Sequence, residues 1–177
     1  MKKFLSAFCL ALVLNSGCKK EIEKLPSATH SGANTFGCLV NGKAWVPTGG
    51  GWMSGVNPTY GGFFRNVDNS LNIYIMAFRE NDRISLFLKH PMTTGTYHLN
   101  SDTDIMPGPV YPKSYGAYIQ GTDNPFTTDA LHTGTVVITY ADTVNKIVAG
   151  TFNMQLYQKN TGKLINITNG RFDFNTH

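Results

Sequence analysis

A chain of 177 residues with 41% apolar and 15% charged side chains carries enough apolar material for one globular domain, which excludes a coiled coil or a disordered tail. Eighteen glycines, eight prolines and 12% aromatic residues favour short strands and turns over long helices. The formal charge of +4 is partly a property of the first residues: without residues 1–17 the chain holds 13 basic and 11 acidic groups, with neither sign clustered. No basic face is left to track a phosphate backbone, so nucleic acid is excluded as a partner.

Lys2 and Lys3 precede an apolar run at residues 4–14, which is well short of the roughly 20 residues needed to span a bilayer. The pattern is that of a secretory signal over residues 1–17. Its end, Leu14-Asn15-Ser16-Gly17-Cys18, resembles the lipobox of bacterial lipoproteins, which implies cleavage before Cys18 and acylation of its thiol. Ordinary signal-peptidase cleavage using Ser16 and Cys18 as the small-residue pair is the alternative. Several acyl chains at about 0.8 kcal/mol per buried methylene would make the attachment to a lipid bilayer stable. Residues 18–34 then read as the lipidated cysteine and a flexible tether, because they are polar and have no sustained apolar period. Sixteen flexible residues would span about 20 to 25 Å. Cys9 leaves with the signal and Cys18 carries lipid, so Cys38 has no intramolecular partner.

The remaining residues, 35–177, are expected to form a single all-β domain. Residues 36–40 and 43–46 flank Asn41-Gly42, the strongest short signal for a β-hairpin. Weaker strand signals follow at 60–67, 96–99 and 115–120. Residues 71–78 alternate Leu, Ile, Ile and Ala with Asn, Tyr, Met and Phe, and Ile84, Leu86 and Leu88 repeat that period after a polar turn. These two runs form a second hairpin with one strongly apolar face. Residues 134–140, 146–158 and 163–175 read as a three-stranded meander. In its last strand Ile165 and Ile167 are odd whereas Phe172 and Phe174 are even. Burying all four requires a bulge at Asn169-Gly170, or else a further hairpin there. A helical turn is expected near 129–132. About 8–10 strands at this spacing predict an antiparallel β-sandwich or a partly open β-barrel.

Phe36-Gly37-Cys38-Leu39-Val40-Asn41-Gly42-Lys43-Ala44-Trp45, the closing Gly150-Thr151-Phe152 and Ile167-Thr168-Asn169-Gly170-Arg171-Phe172-Asp173 stand behind a lipobox and tether. This arrangement resembles the small lipoproteins of unknown function of the Bacteroidota, best over the opening hairpin and the last forty residues. The resemblance implies an all-β fold and an address in the cell envelope, and it attaches no catalytic residue. Residues 49–126 carry no motif of that kind.

Candidate chemistry is sparse. His98, Asp102 and Asp104 fall within seven residues, with His90 and His132 elsewhere, but the spacing fits neither a zinc site nor a calcium loop, so no metal and no cofactor is expected. Glu80 sits between Arg79 and Arg83, a setting for ion pairs more than for acid-base work. Ser54 lacks the glycine two positions back that a nucleophile elbow needs, and Cys38 has the apolar neighbours of a buried thiol. The aromatic loops are more telling. Residues 106–118 present Tyr111, Tyr115 and Tyr118 in a Pro/Gly-rich stretch, and Trp52, Tyr60 and Phe63 lie in another glycine-rich region. Such rings suit stacking on sugars or peptides; capping the ends of the sheet is the other use for them.

The sequence therefore predicts an envelope lipoprotein of the outer membrane, anchored through acylated Cys18. Its domain would bind or support without catalysing, with a glycan or an envelope protein as partner. A carbohydrate-binding module using Trp52, Tyr60, Tyr111, Tyr115 and Tyr118 is the sharper form of that reading. A hydrolase or metal-dependent enzyme is the competing one, and it would need His98, Asp102 and His132 around one cavity.

Overall fold

The computed structural model describes residues 19–49, 57–66, 69–91, 93–103 and 113–176. Among them run eleven strands: β1 (Thr35–Val40), β2 (Lys43–Trp45), β3 (Thr59–Arg65), β4 (Leu71–Arg79), β5 (Asp82–Lys89), β6 (Gly95–Leu99), β7 (Tyr115–Ile119), β8 (Phe126–Thr127), β9 (Gly134–Asp142), β10 (Ile147–Gln158) and β11 (Lys163–Asn175). They form one antiparallel sheet in the order β2-β1-β11-β10-β8-β7-β5-β4-β3, with β9 on β10 and β6 on β9. The sheet curls into a half-barrel, so the open barrel describes the architecture and the two-sheet sandwich does not.

Local chemistry explains the joints. Asn41 and Gly42 adopt φ of 48° and 79°, the left-handed pair that a tight hairpin between right-twisted strands requires. In the β9–β10 loop the Asp142 carboxylate accepts the backbone N–H groups of Val144 and Asn145, both at 2.9 Å, an Asx turn. At the far end of the chain Leu39 pairs with Thr168 and Gly37 with Arg171, so Asn169 and Gly170 together oppose Cys38. The bulge required by the parity change thus lies at those two residues, with Asn169 at φ 52°. Ile165, Ile167, Phe172 and Phe174 all reach the core. Gly170 is also a packing requirement: a Cβ there would stand 2.5 Å from the Phe152 ring.

β10 is the branch point of the fold. It pairs with β9 along residues 147–154 and with β8 at Tyr157, so the sheet divides at this strand. Ile73, Ile75, Leu86, Val136, Phe152 and Phe172 are buried in the main core. A smaller cluster occupies the opposite face of β4, β5 and β7, where Tyr74, Phe87 and Tyr115 lie in one cross-strand row. The Phe87 and Tyr115 rings stack at 5.7 Å. Both faces of these strands are therefore buried, which the expectation of one apolar face did not include. β8 is too short to leave a periodic signal. Residues 129–132 form no helical turn; the Asp129 carboxylate accepts the N–H groups of Leu131 and His132, both at 2.7 Å.

The expected flexible tether is corrected by the structure. Residues 19–22 make a helical turn, and Glu21 accepts the Ala44 N–H at 2.8 Å. Leu25 is buried, Pro26 packs on Gly37, and Arg171 donates to the Pro26 carbonyl. Farther along, Thr29, Ser31, Gly32 and Ala33 all donate to the carboxylate of Asp173, the shortest contacts being 2.6 Å from the Thr29 hydroxyl and 2.8 Å from the Gly32 N–H. Asp173 is 1% exposed. An ionised carboxylate at such a site needs several donors, and this strap supplies them. Burial by itself would raise the Asp173 pKa, but the hydroxyl of Thr29 and the backbone groups of Ser31, Gly32 and Ala33 outweigh it and hold the group below the usual carboxylate value.

Candidate functional site

β3 ends the strand order, so one of its edges has no partner strand among the described residues. β3 also runs close to the end of β11: a Cβ on Gly62 would lie 2.0 Å from the Thr176 methyl carbon, and Gly62 holds a φ of 132° that side chains rarely adopt. The strap completes the arrangement. The Asn34 carbonyl accepts the Thr59 hydroxyl, and its side-chain oxygen accepts the Asn175 N–H at 3.0 Å. Three distant stretches of chain thereby enclose a cleft.

Two bays adjoin there. The first, about 640 Å³, is lined by Asn34, Asn57, Tyr60, Phe64, Tyr74 and Asn175 among others. The second, about 790 Å³, lies between Arg65, Asn69, His90, Thr143 and Lys146. Phe63, Phe64 and Thr176 border both. These are the dimensions of small-molecule sites. Tyr60 stands at the first bay with 65% of its surface exposed, whereas Phe63 and Phe64 are half-buried at the wall.

Of the aromatic residues expected to act together, the structure separates Tyr60 from Tyr115 and Tyr118. Among the described residues of that set, Tyr60 and Phe63 reach this cleft. Tyr115 and Tyr118 belong to β7 and are 2% and 3% exposed, which withdraws them as loop-borne stacking rings: strand alternation sends Tyr115 into the smaller cluster and Tyr118 into the main core. The Tyr118 hydroxyl donates to Asp82 at 2.6 Å, and burial first, then that bond to a carboxylate, raises its pKa strongly. Trp52, Tyr111 and Cys18 lie outside the described residues, as does Asp104. Nothing in their local sequence patterns marks Arg65, Lys146 or Asn175; the fold places Arg65 and Lys146 at the second bay and Asn175 at the first.

The chain matches the family described as Domain of unknown function (DUF6252) over residues 63–174. The chain belongs to that family. The matched stretch includes most of the middle region for which the sequence had offered no motif, and it starts after the opening hairpin. No curated protein and no solved structure matches. The family region runs from the wall of the cleft at Phe63 to the end of the core at Phe174, while the strap, β1, β2 and the first residues of β3 precede it.

The other polar candidates are dispersed. Asp102 accepts the Thr127 hydroxyl at 3.0 Å and pairs with Lys159. His132 pairs with Asp129 at 3.0 Å and stacks on Tyr157. Burial raises the Asp129 pKa, but the bonds from His132 and Leu131 lower it further, and the net shift is downward. His98 is exposed on β6. Among the described residues no three His, Cys, Asp or Glu side chains are grouped to hold a metal. Cys38 is fully buried, and desolvation pushes its thiol pKa far above the usual value, the behaviour of a core residue. Arg79 donates to the Ala44 carbonyl.

Proposed function

We propose that the chain is an outer-membrane lipoprotein of the Bacteroidota, anchored through acylated Cys18, whose β domain binds a saccharide in the β3 cleft without catalysing a reaction. The anchor rests on the positive start, the short apolar run and the small residues before Cys18. The binding role rests on one observation: Tyr60, an amphipathic ring exposed at the mouth of a cavity, with the amides of Asn57 and Asn175 in the same lining. A planar ring for the apolar face of a sugar and amides for its hydroxyls are complementary to that class of ligand. The docked strap adds a mechanical consequence. With residues 19–34 fastened to the domain, acyl chains on Cys18 would hold the domain against the bilayer instead of at the end of a flexible leash.

Two variants of the full chain test the two halves. Cys18→Ser is expected to move the protein from the membrane to the soluble fraction, and retention in the membrane would refute the anchor. Tyr60→Ala is expected to weaken oligosaccharide binding in calorimetry about tenfold, equivalent to about 1.4 kcal/mol. Unchanged affinity would refute the cleft as the site.

A further inference from the structure

We infer that the saccharide is acidic, with its carboxylates or other anionic groups held in the second bay by Arg65 and Lys146. The inference rests on the reading of the β3 cleft as a saccharide site and names the chemistry that reading leaves open. Three elements deliver the basic groups: Arg65 from the end of β3, His90 from the residue after β5, and Lys146 from the β9–β10 loop. No Asp or Glu is among the described residues lining that bay, and neither Arg65 nor Lys146 has a carboxylate partner among the described residues. Arg65 is instead steadied by neutral oxygens, its guanidinium donating to the carbonyl and side-chain oxygen of Asn69 at 3.1 and 3.4 Å. That leaves the planar fork with donors for an anion.

Backbone conformation marks the same place. Of seven described residues other than glycine with positive φ, three line this bay: Asn69 at 64°, His90 at 53° and Lys146 at 55°. Left-handed backbone is common for Asn and costly for Lys. It is kept where the surroundings determine it, and it concentrates at binding sites. Here the surroundings are visible: the Lys146 carbonyl accepts both the N–H and the hydroxyl of Thr176, and the His90 N–H donates to the side chain of Asn72. The bay is therefore built from fixed backbone. It adjoins the aromatic bay through Phe63, Phe64 and Thr176, so one oligosaccharide can place a ring at Tyr60 and an anionic group at Arg65.

Calorimetry of the full chain with trigalacturonate, with neutral galactotriose and with a glutamate tripeptide tests this directly. Trigalacturonate is expected to bind at least tenfold tighter than either comparison ligand, to weaken severalfold as salt rises from 0.05 to 0.5 M, and to lose at least tenfold with Arg65→Gln/Lys146→Gln. Equal affinity for galactotriose, or acidic binding that survives the double substitution, overturns the inference while sensitivity to Tyr60→Ala keeps the cleft. Tighter binding of the glutamate peptide overturns the choice of a sugar. Binding of no saccharide overturns both the inference and the reading beneath it. Unaltered thermal unfolding of the double variant shows that any loss comes from the bay.

Discussion

Replacing Asp173 by alanine removes the acceptor that fastens the strap. Its carboxylate takes the Thr29 hydroxyl at 2.6 Å, the Gly32 N–H at 2.8 Å and the Ser31 N–H at 2.9 Å, with longer contacts from the Ser31 hydroxyl and the Ala33 N–H. Hydrogen bonds to a charged group contribute about 1.5–3 kcal/mol each in isolation. The three short bonds cannot be summed, because the freed strap regains solvent and chain entropy. A net loss of about 2–4 kcal/mol is expected, and part of it carries the burial of Leu25 with it. The assay is urea unfolding of the wild type and Asp173→Ala, combined with amide exchange at Ser31, Gly32 and Ala33 in the native state. Those amides should be protected in the wild type and exchange near free-peptide rates in the variant. The pH dependence has a fixed sign. A carboxylate whose pKa is lowered by folding stabilises the fold fully above its unfolded value of about 3.9. That contribution is lost as pH falls through the folded value, so the wild type should lose more stability below about pH 4 than Asp173→Asn. Fast exchange of the three amides in the wild type, or a variant within about 0.5 kcal/mol of it at neutral pH, would show that Asp173 does not fasten the strap.

Gly170→Ala places a methyl group 2.5 Å from the Phe152 ring and should cost about 1–3 kcal/mol in the same unfolding assay. Phe152→Ala empties the centre of the main core and should cost about 3–5 kcal/mol. Tyr118→Phe removes the bond to Asp82 and should lower stability by about 1–2 kcal/mol without changing ligand affinity in calorimetry, because the ring is in the core. Tyr60→Ala, in contrast, should leave the unfolding midpoint within about 0.5 kcal/mol of the wild type, since most of the ring already faces solvent.

Elements whose cause is local were legible in the sequence. Asn41-Gly42 announces its own turn, and the parity change between Ile167 and Phe172 narrows that joint to a bulge or a further hairpin at Asn169-Gly170; the pairing of β11 with β1 on both sides of it makes it a bulge. The strap was not legible: three of its five contacts to Asp173 come from backbone N–H groups of Ser31, Gly32 and Ala33, which carry no sequence signature. A polar stretch reads as solvated until its acceptor, about 140 positions away, is brought beside it. Tyr115 and Tyr118 were misread for a related reason. Their neighbours in the chain are turn-forming, but their neighbours across the sheet are Phe87 and Ile84, and only the strand pairing sends them inward. The cleft joins Asn34, residues 57–65 and residues 174–176, a union that depends wholly on how the half-barrel curls.

The most direct test of the binding role is chemical-shift mapping of the isotope-labelled full chain, in detergent, during titration with trigalacturonate. Progressive shifts are expected, confined to Asn57, Tyr60, Phe64, Arg65, Lys146 and the residues around Asn175. Shifts centred instead on the exposed face of β9 and β10, or none at millimolar ligand, would contradict the binding role.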